Sequence, residues 1–300
     1  MNFRYKPILL DIFLDEEQIM LHQAKNRLKE DFQKTFLFRL INPRKTHLYC
    51  VGTAKSGTHS IAAIFGNQLC SAHEPESEEV IDTILNIAAG KINTQEIHQY
   101  ILKRDQRLWL EIDSSQLNFF LLNELVNLFP KAKFILTIRH PYPWLDSFIN
   151  HQLARGGSSK WQQLRDLRFR PDIYSHASEE KILKEMGLYS LDGYFSYWKN
   201  HNITVLKNVP KDRLLIVRTD KITEGTEEIF DFAGISRRNF PKNNSHTFKA
   251  KAKLNVLNKL DQKYLQLKIE EHCQELITRF FPEIKNQNHI KSIPNSKANS

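Results

Sequence analysis

The chain predicts an α/β fold in three layers, a mostly parallel central sheet with helices on both faces. Three observations lead there. Short apolar runs alternate with longer stretches of helical periodicity, the pattern of repeated strand-helix-strand units. The run at residues 133–139 is almost continuously apolar, as strands buried on both faces are. Between the first apolar run and the following helical stretch lies a turn bounded by Gly52 and Gly57. Ligands of such sheets sit beyond the carboxyl ends of the strands.

The elements follow in order. Residues 10–40 read as one or two helices, with Ile12, Phe13, Ile19, Met20 and Leu28 among polar neighbours. Residues 47–51 are the first strand, and Thr58 opens a helix with Ile61, Ile64, Phe65 and Leu69 on one face. Residues 76–104 read as helical. Residues 108–113 are a second strand and 117–129 its helix, 133–139 a third strand, and 144–153 another helix after Pro141. Residues 155–180 read as a long loop with little core of its own. Residues 191–206 form an aromatic-rich helix, 214–218 a fourth strand, and 224–233 a helix stopped at Gly234. A terminal helix spans 256–280. One domain over 1–285 is expected, with 1–46 as an N-terminal helical extension and 286–300 as a disordered tail.

Composition narrows the setting. Of 300 residues, 41% are apolar and 26% charged, as in ordinary soluble domains. No apolar run approaches the roughly 18 residues a membrane span requires, so none is expected. Asp11, Asp15, Glu16 and Glu17 argue against a secretory leader. Three dispersed cysteines, Cys50, Cys70 and Cys273, show neither metal-ligand spacing nor a disulfide framework, so a cytoplasmic compartment is expected. The net charge of +9 suits a cleft for an anionic ligand, or simply a solvated basic surface with no partner. A nucleic-acid-binding module is an alternative, but the basic residues are scattered and no aromatic-interleaved basic motif occurs.

The glycine turn carries the chemistry. Gly52 and Gly57 are spaced as in the G-x-x-x-x-G of nucleotide-binding loops, yet Thr58 and His59 follow where Lys and Ser/Thr should. The cation stands inside the loop, at Lys55. A nucleotide kinase or NTPase is thereby disfavoured, and no metal is expected. What remains is a glycine-rich turn, a helix N-terminus and one ammonium, which suit a phosphoester. Arg139 closes the third strand 84 residues after Lys55, and Ser147 follows eight residues later. A forked guanidinium and a hydroxyl can hold a second phosphate from two sides.

Together, the Lys55 loop and the Arg139-His-Pro stretch with Ser147 resemble the two nucleotide-binding motifs of sulfotransferases that use 3′-phosphoadenosine 5′-phosphosulfate (PAPS). The resemblance runs from about residue 46 to about residue 235 and includes residues 214–220. It implies a P-loop-like α/β fold and transfer of a sulfuryl group from PAPS, as co-substrate, to a hydroxyl or amine of a small-molecule or carbohydrate acceptor. By matching positions it implies that Lys55, Ser56, Gly57 and Thr58, with His59 beside them, take the 5′-phosphosulfate. Arg139 and Ser147 would take the 3′-phosphate. Ala54 stands where the family commonly has proline, His140 where Asp or Asn is usual, and Ser60 where cytosolic members often carry tryptophan. The family's late Arg-Lys-Gly motif is absent; Lys249 and Lys251 are candidate replacements, with a solvated basic stretch as the alternative reading.

The acceptor needs a base. Glu74, within His73-Glu-Pro75, is the leading candidate, similar to a Glu-Pro in carbohydrate-modifying relatives. Glu111 and Asp113, two apart on one strand and so on one face, come next, with Ser114 and Ser115 beside them as substrate contacts. His73 is the fourth. The segment 156–180, with Arg155, Arg165, Arg168 and Arg170 and the rings of Trp161 and Tyr174, reads as a lid or acceptor-binding loop for an acidic or sugar-like acceptor or a small polar natural product, or as a solvated loop that needs no ligand.

Overall fold

A computed structural model describes residues 43–66, 69–236 and 254–284. Five strands form one sheet: β1 (Leu48–Cys50), β2 (Ser71–His73), β3 (Ile112–Ser114), β4 (Lys133–Ile138) and β5 (Leu214–Arg218), in the order β2-β3-β1-β4-β5 and parallel at every pairing. Helices cover both faces: α1 (Thr58–Phe65), α2 (Ser77–Ala88), α3 (Thr94–Leu108), α4 (Leu122–Leu128), α5 (Pro141–Arg155), α6 (Ser159–Phe169), α7 (Lys181–Glu185), α8 (Leu191–Asn208), α9 (Thr226–Ala233) and α10 (Gln262–Phe280). The three-layer expectation therefore holds.

The chain divides into two compact units, Met1–Arg44 with Leu102–Trp109, and Lys45–Ile101 with Leu110–Ser300. In the first, the Arg44 guanidinium forks onto the Asp105 carboxylate at 2.8 and 3.1 Å and lies 4.3 Å from the Trp109 ring centre. The sheet belongs to the second.

Side chains alternate across the sheet, as the pleat requires. Leu48, Cys50, Ile135 and Val217 face Ile61 and Phe65 of α1 and Ile229 and Phe230 of α9. Tyr49, Phe134 and Leu136 face the other way, onto Val80 and Ile81 of α2, Leu125 of α4 and Val205 of α8. A third apolar cluster joins Trp144 and Phe148 of α5, Phe169 of α6, Phe195 and Trp198 of α8 and Cys273 of α10. Trp144, Phe169, Phe195 and Trp198 are fully buried. Each such side chain contributes about 1.5–3 kcal/mol through removal from water, which fixes α5, α6 and α8 firmly beside the strand ends.

Several expectations are corrected. Residues 76–104 divide into α2 and α3 at Gly90, whose φ of 65° an L side chain rarely adopts. The apolar run near Leu108 ends α3, so the strand begins only at Ile112. A short strand, β2, lies at the sheet edge where none was expected. Residues 155–180 are not a coreless loop: Ser158 caps α6, whose Leu164, Arg168 and Phe169 are buried. The helix after β4 starts at Pro141, a residue whose fixed φ suits a first turn. Residues 256–259 form a 3₁₀ turn, and Asp261 caps α10 by accepting from Lys263 and Tyr264 N–H groups at 2.7 and 3.0 Å. The N-terminal helices expected over 10–40 and the tail 286–300 lie outside the described residues.

Candidate active site

The loop between β1 and α1 is held from outside by its carbonyls. His201 Nε2 bonds the Val51 carbonyl at 2.7 Å, the Ser56 hydroxyl donates to Thr53 at 2.6 Å, and the Trp144 indole donates to Ala54 at 2.8 Å. Arg139 Nη1 donates to the Lys55 carbonyl at 3.1 Å, and the Thr219 hydroxyl donates to the Ser56 carbonyl and to that of Ile138. With its carbonyls so engaged, the loop turns toward the opening of α1. There Gly57 is the cap residue, no side chain caps the first turn, and that turn holds no acidic residue. An uncapped helix start without a carboxylate attracts anions.

Two glycines are required here. A Cβ at Gly52 would stand 1.9 Å from the Thr137 hydroxyl and 2.7 Å from its carbonyl oxygen. Gly57 has φ 108°, and a Cβ there would meet Ile222 at 2.5 Å. Lys55 and Glu74, with φ of 64° and 51°, also occupy the left-handed region without being glycine. Such backbone strain of non-glycine residues gathers at functional sites.

Lys55, Gly57, Thr58, His59, Glu74, Arg139 and Ser147 all border a cleft of about 2190 Å³, larger than the ~300–1,000 Å³ of most single-ligand pockets. It opens at the carboxyl ends of the strands. Lys55 follows β1, Glu74 follows β2, Arg139 follows β4 and Thr219 follows β5. Its walls carry Arg155, Arg165, Arg168, Arg218 and Lys263, against the acids Glu74, Asp220 and Glu270. That imbalance is felt locally. Burial lowers the pKa of the Lys55 ammonium, Arg139 and Arg155 lower it further, and Glu74 opposes them. Burial also lowers His59, helped by Lys55, and lowers His73, with Glu74 opposing. His140 is pushed down to about 4 by burial and Arg218.

Glu74 is well supported. Gln116 Nε2 donates to its carboxylate at 2.6 Å, and His73 Nε2 lies 4.0 Å away. His73 Nε2 is also 3.1 Å from the Thr58 hydroxyl, and its ring centre is 5.0 Å from that of His59.

Other expected site residues sit elsewhere. Glu111 precedes β3 and stands at its amino end. Its carboxylate accepts from the Lys45 and Cys70 N–H groups at 2.8 and 2.9 Å, joining the segments that enter β1 and β2. Its expected place near the functional strand end is thus corrected, because the strand begins later than its apolar approach implied. Asp113 is buried and accepts from Asn118 Nδ2 at 3.1 Å. Ser114 donates to the Thr58 carbonyl at 2.6 Å, and Ser115 caps the turn that follows by accepting from Leu117. Both serines are buried braces, not substrate contacts. The Ser56 hydroxyl, buried against Thr53 and Thr137, likewise holds the loop and does not reach the cleft. Lys249 lies outside the described residues.

Sequence reasoning missed the bracing set of Thr219, Trp144 and His201. Only Thr219 had a signal, lying just past a strand end as ligand-side residues do. His201 is buried, with its pKa pushed down to about 3, so it serves as a neutral hydrogen-bonding ring.

The fold and the site define an α/β protein with a glycine-bounded loop that opens a helix and a cationic cleft at the strand ends. Residues 47–248 match the family model for the sulfotransferase domain, and the chain belongs to the sulfotransferase family. It is 28% identical over 129 residues to the Ava biosynthesis cluster protein M of Aspergillus versicolor, which covers 41% of this chain and 49% of that protein. The chain thus spans about half the length of that relative. Among solved structures, sulfotransferase STF9 from Mycobacterium avium is similar at 12% identity and TM-score 0.46, over 86% of this chain and 85% of that one. A sulfotransferase from Alicyclobacillus acidocaldarius is similar at 13% identity and TM-score 0.44, over 77% and 95% respectively. No helix among the described residues is long and apolar enough to cross a membrane.

Proposed function

We propose that the protein transfers a sulfuryl group from PAPS to a hydroxyl or amine of a small-molecule or carbohydrate acceptor. The observation that carries this reading is that the Lys55 loop and Arg139, on neighbouring strand ends, border one cationic cleft. A nucleotide bearing phosphates at two positions fits such a pair. Lys55, Gly57, Thr58 and His59 hold the 5′ end and Arg139 with Ser147 the 3′-phosphate, while Lys249 is kept as a further contact. PAPS supplies the activated sulfuryl group. The transfer is an in-line displacement through a loose transition state, aided chiefly by positioning and charge stabilisation.

Each residue then has a task. The Lys55 ammonium, carried on the loop, stabilises the charge that grows on the departing phosphate, and the N–H groups opening α1 share that task. Glu74 takes the acceptor's proton, and Gln116 aims its carboxylate through the 2.6 Å bond. Glu111, braced at the far end of its strand, has no part in the chemistry. Cys50, Cys70 and Cys273, none of them in a disulfide among the described residues, support a cytoplasmic setting. Incubating the protein with sulfur-labelled PAPS and a panel of alcohols, phenols, amines and sugars, read by mass spectrometry, tests the reading. A product heavier by one sulfuryl group supports it; no product from any class, with PAPS left intact, contradicts it.

A further inference from the structure

We infer that the cleft contains a second anion subsite, built on Arg168 and Gln116, which selects acceptors that carry an oxyanion such as a carboxylate or phosphate monoester. Arg168 lies in α6 and is only 6% exposed. Its guanidinium carbon is 5.4 Å from the Phe120 ring centre and 5.7 Å from that of Tyr197, so aromatic rings flank it. Its Nε and Nη2 atoms are buried and have no hydrogen-bond partner among the described residues. Those two atoms form the guanidinium edge that takes both oxygens of one oxyanion. Burial disfavours the guanidinium charge and the Glu74 carboxylate only partly offsets this, and donors buried without a hydrogen-bond partner are costly.

Gln116 offers the complementary acceptor. It is 7% exposed, its Nε2 is engaged by Glu74, and its Oε1 is buried without a partner among the described residues. Both residues border the same cleft as Glu74. An acceptor with an oxyanion for Arg168 and a hydroxyl or amide N–H for Gln116 satisfies both at once, while its reacting hydroxyl faces Glu74. Rejection of neutral analogues follows from the same physics, since they would leave the buried guanidinium unmatched. The word acceptor here rests on the sulfotransfer reading above; the subsite itself does not.

The test uses the full chain saturated with adenosine 3′,5′-bisphosphate, which occupies the Lys55 and Arg139 sites. Phenylacetate, phenyl phosphate and phenylacetamide are then compared by ligand-observed NMR. Both anions are expected to bind at least about tenfold more tightly than the amide, and the stronger of the two identifies the oxyanion. Arg168→Met keeps the stem between the rings and should abolish the preference; Arg168→Lys, which keeps the charge without the fork, should reduce it. Equal binding of amide and anions by the wild type overturns the inference, as does an undiminished preference in whichever of the two variants folds. Failure of the bisphosphate to raise the melting temperature counts instead against the sulfotransfer reading. The three probes are then compared on the protein without nucleotide. There the Lys55 and Arg139 cations also attract the anions, so a preference that weakens on substitution of Arg168 supports the subsite, and equal binding of amide and anions overturns it.

Discussion

Arg139 donates from Nη1 to the backbone carbonyl of Lys55 at 3.1 Å, so the residue proposed for the 3′-phosphate also braces the loop proposed for the 5′ end. Burial lowers the pKa of this guanidinium, opposed by Asp146 and Asp220, and the side chain borders the cleft. Arg139→Ala should therefore do two things. The 3′-phosphate should cease to matter for binding, and the loop should lose part of its rigidity. We expect nucleotide affinity to fall about tenfold to a hundredfold, with the preference for adenosine 3′,5′-bisphosphate over adenosine 5′-phosphate nearly erased in calorimetry. A preference left intact removes Arg139 from the site.

Lys55→Ala should act mainly on the chemical step. A donor aimed at developing charge contributes more to the transition state than to the ground state. Single-turnover rates with saturating PAPS should fall about a hundredfold to a thousandfold, while affinity for the bisphosphate product changes by less than about tenfold. Equal losses in affinity and rate would make Lys55 a binding residue only.

The pH profile of kcat/KM reports groups of the free protein. The Lys55 ammonium must stay protonated, and its lowered pKa places the alkaline limb below the ordinary lysine value of about 10.4. With Glu74 as the base, Glu74→Gln should remove about a hundredfold or more of the rate at every pH. Were His73 the base, the same substitution would strip away the charge that holds His73 up. Its pKa would then fall further, and the acid limb would move to lower pH with the plateau retained. A shifted limb with a full plateau contradicts the role given to Glu74.

Glu111→Gln separates structure from chemistry. The carboxylate accepts two backbone N–H groups, and the carboxamide can accept only one while turning its own donors on the other. Urea unfolding should show a loss of about 1–3 kcal/mol, with kcat changed by less than about twofold. A large fall in kcat at unchanged stability would restore Glu111 to the catalytic set.

The glycine loop was legible because its chemistry is local. Gly52, Lys55, Gly57 and Thr58 lie within seven residues, and the backbone constraints on both glycines are visible as spacing. Arg139 was legible because β4 is a long apolar run with an abrupt cationic end. The edge strand β2 was not, since three half-buried residues, Ser71, Ala72 and His73, have no periodicity to read. Helix α6 was obscured by its composition: Leu164 and Phe169 anchor it, but Arg165, Asp166, Arg168 and Arg170 dominate the stretch, and the burial of Arg168 follows from rings far away in sequence. Glu111 was misplaced because the apolar Leu108 to Leu110 stretch suits a helix end as well as a strand start. The donors that hold the loop, Trp144, His201 and Thr219, come from 90 to 163 residues away, and such contacts exist only once the sheet has formed.

Calorimetry on the wild-type protein tests the central claim most directly, because it asks whether one molecule is held at both ends. Adenosine 3′,5′-bisphosphate should bind about tenfold to a hundredfold more tightly than adenosine 5′-phosphate, without added divalent metal, as expected when a half-buried forked guanidinium loses its phosphate. Equal affinities for the two nucleotides would mean that the Lys55 loop and Arg139 do not grip a single ligand, and would contradict the account.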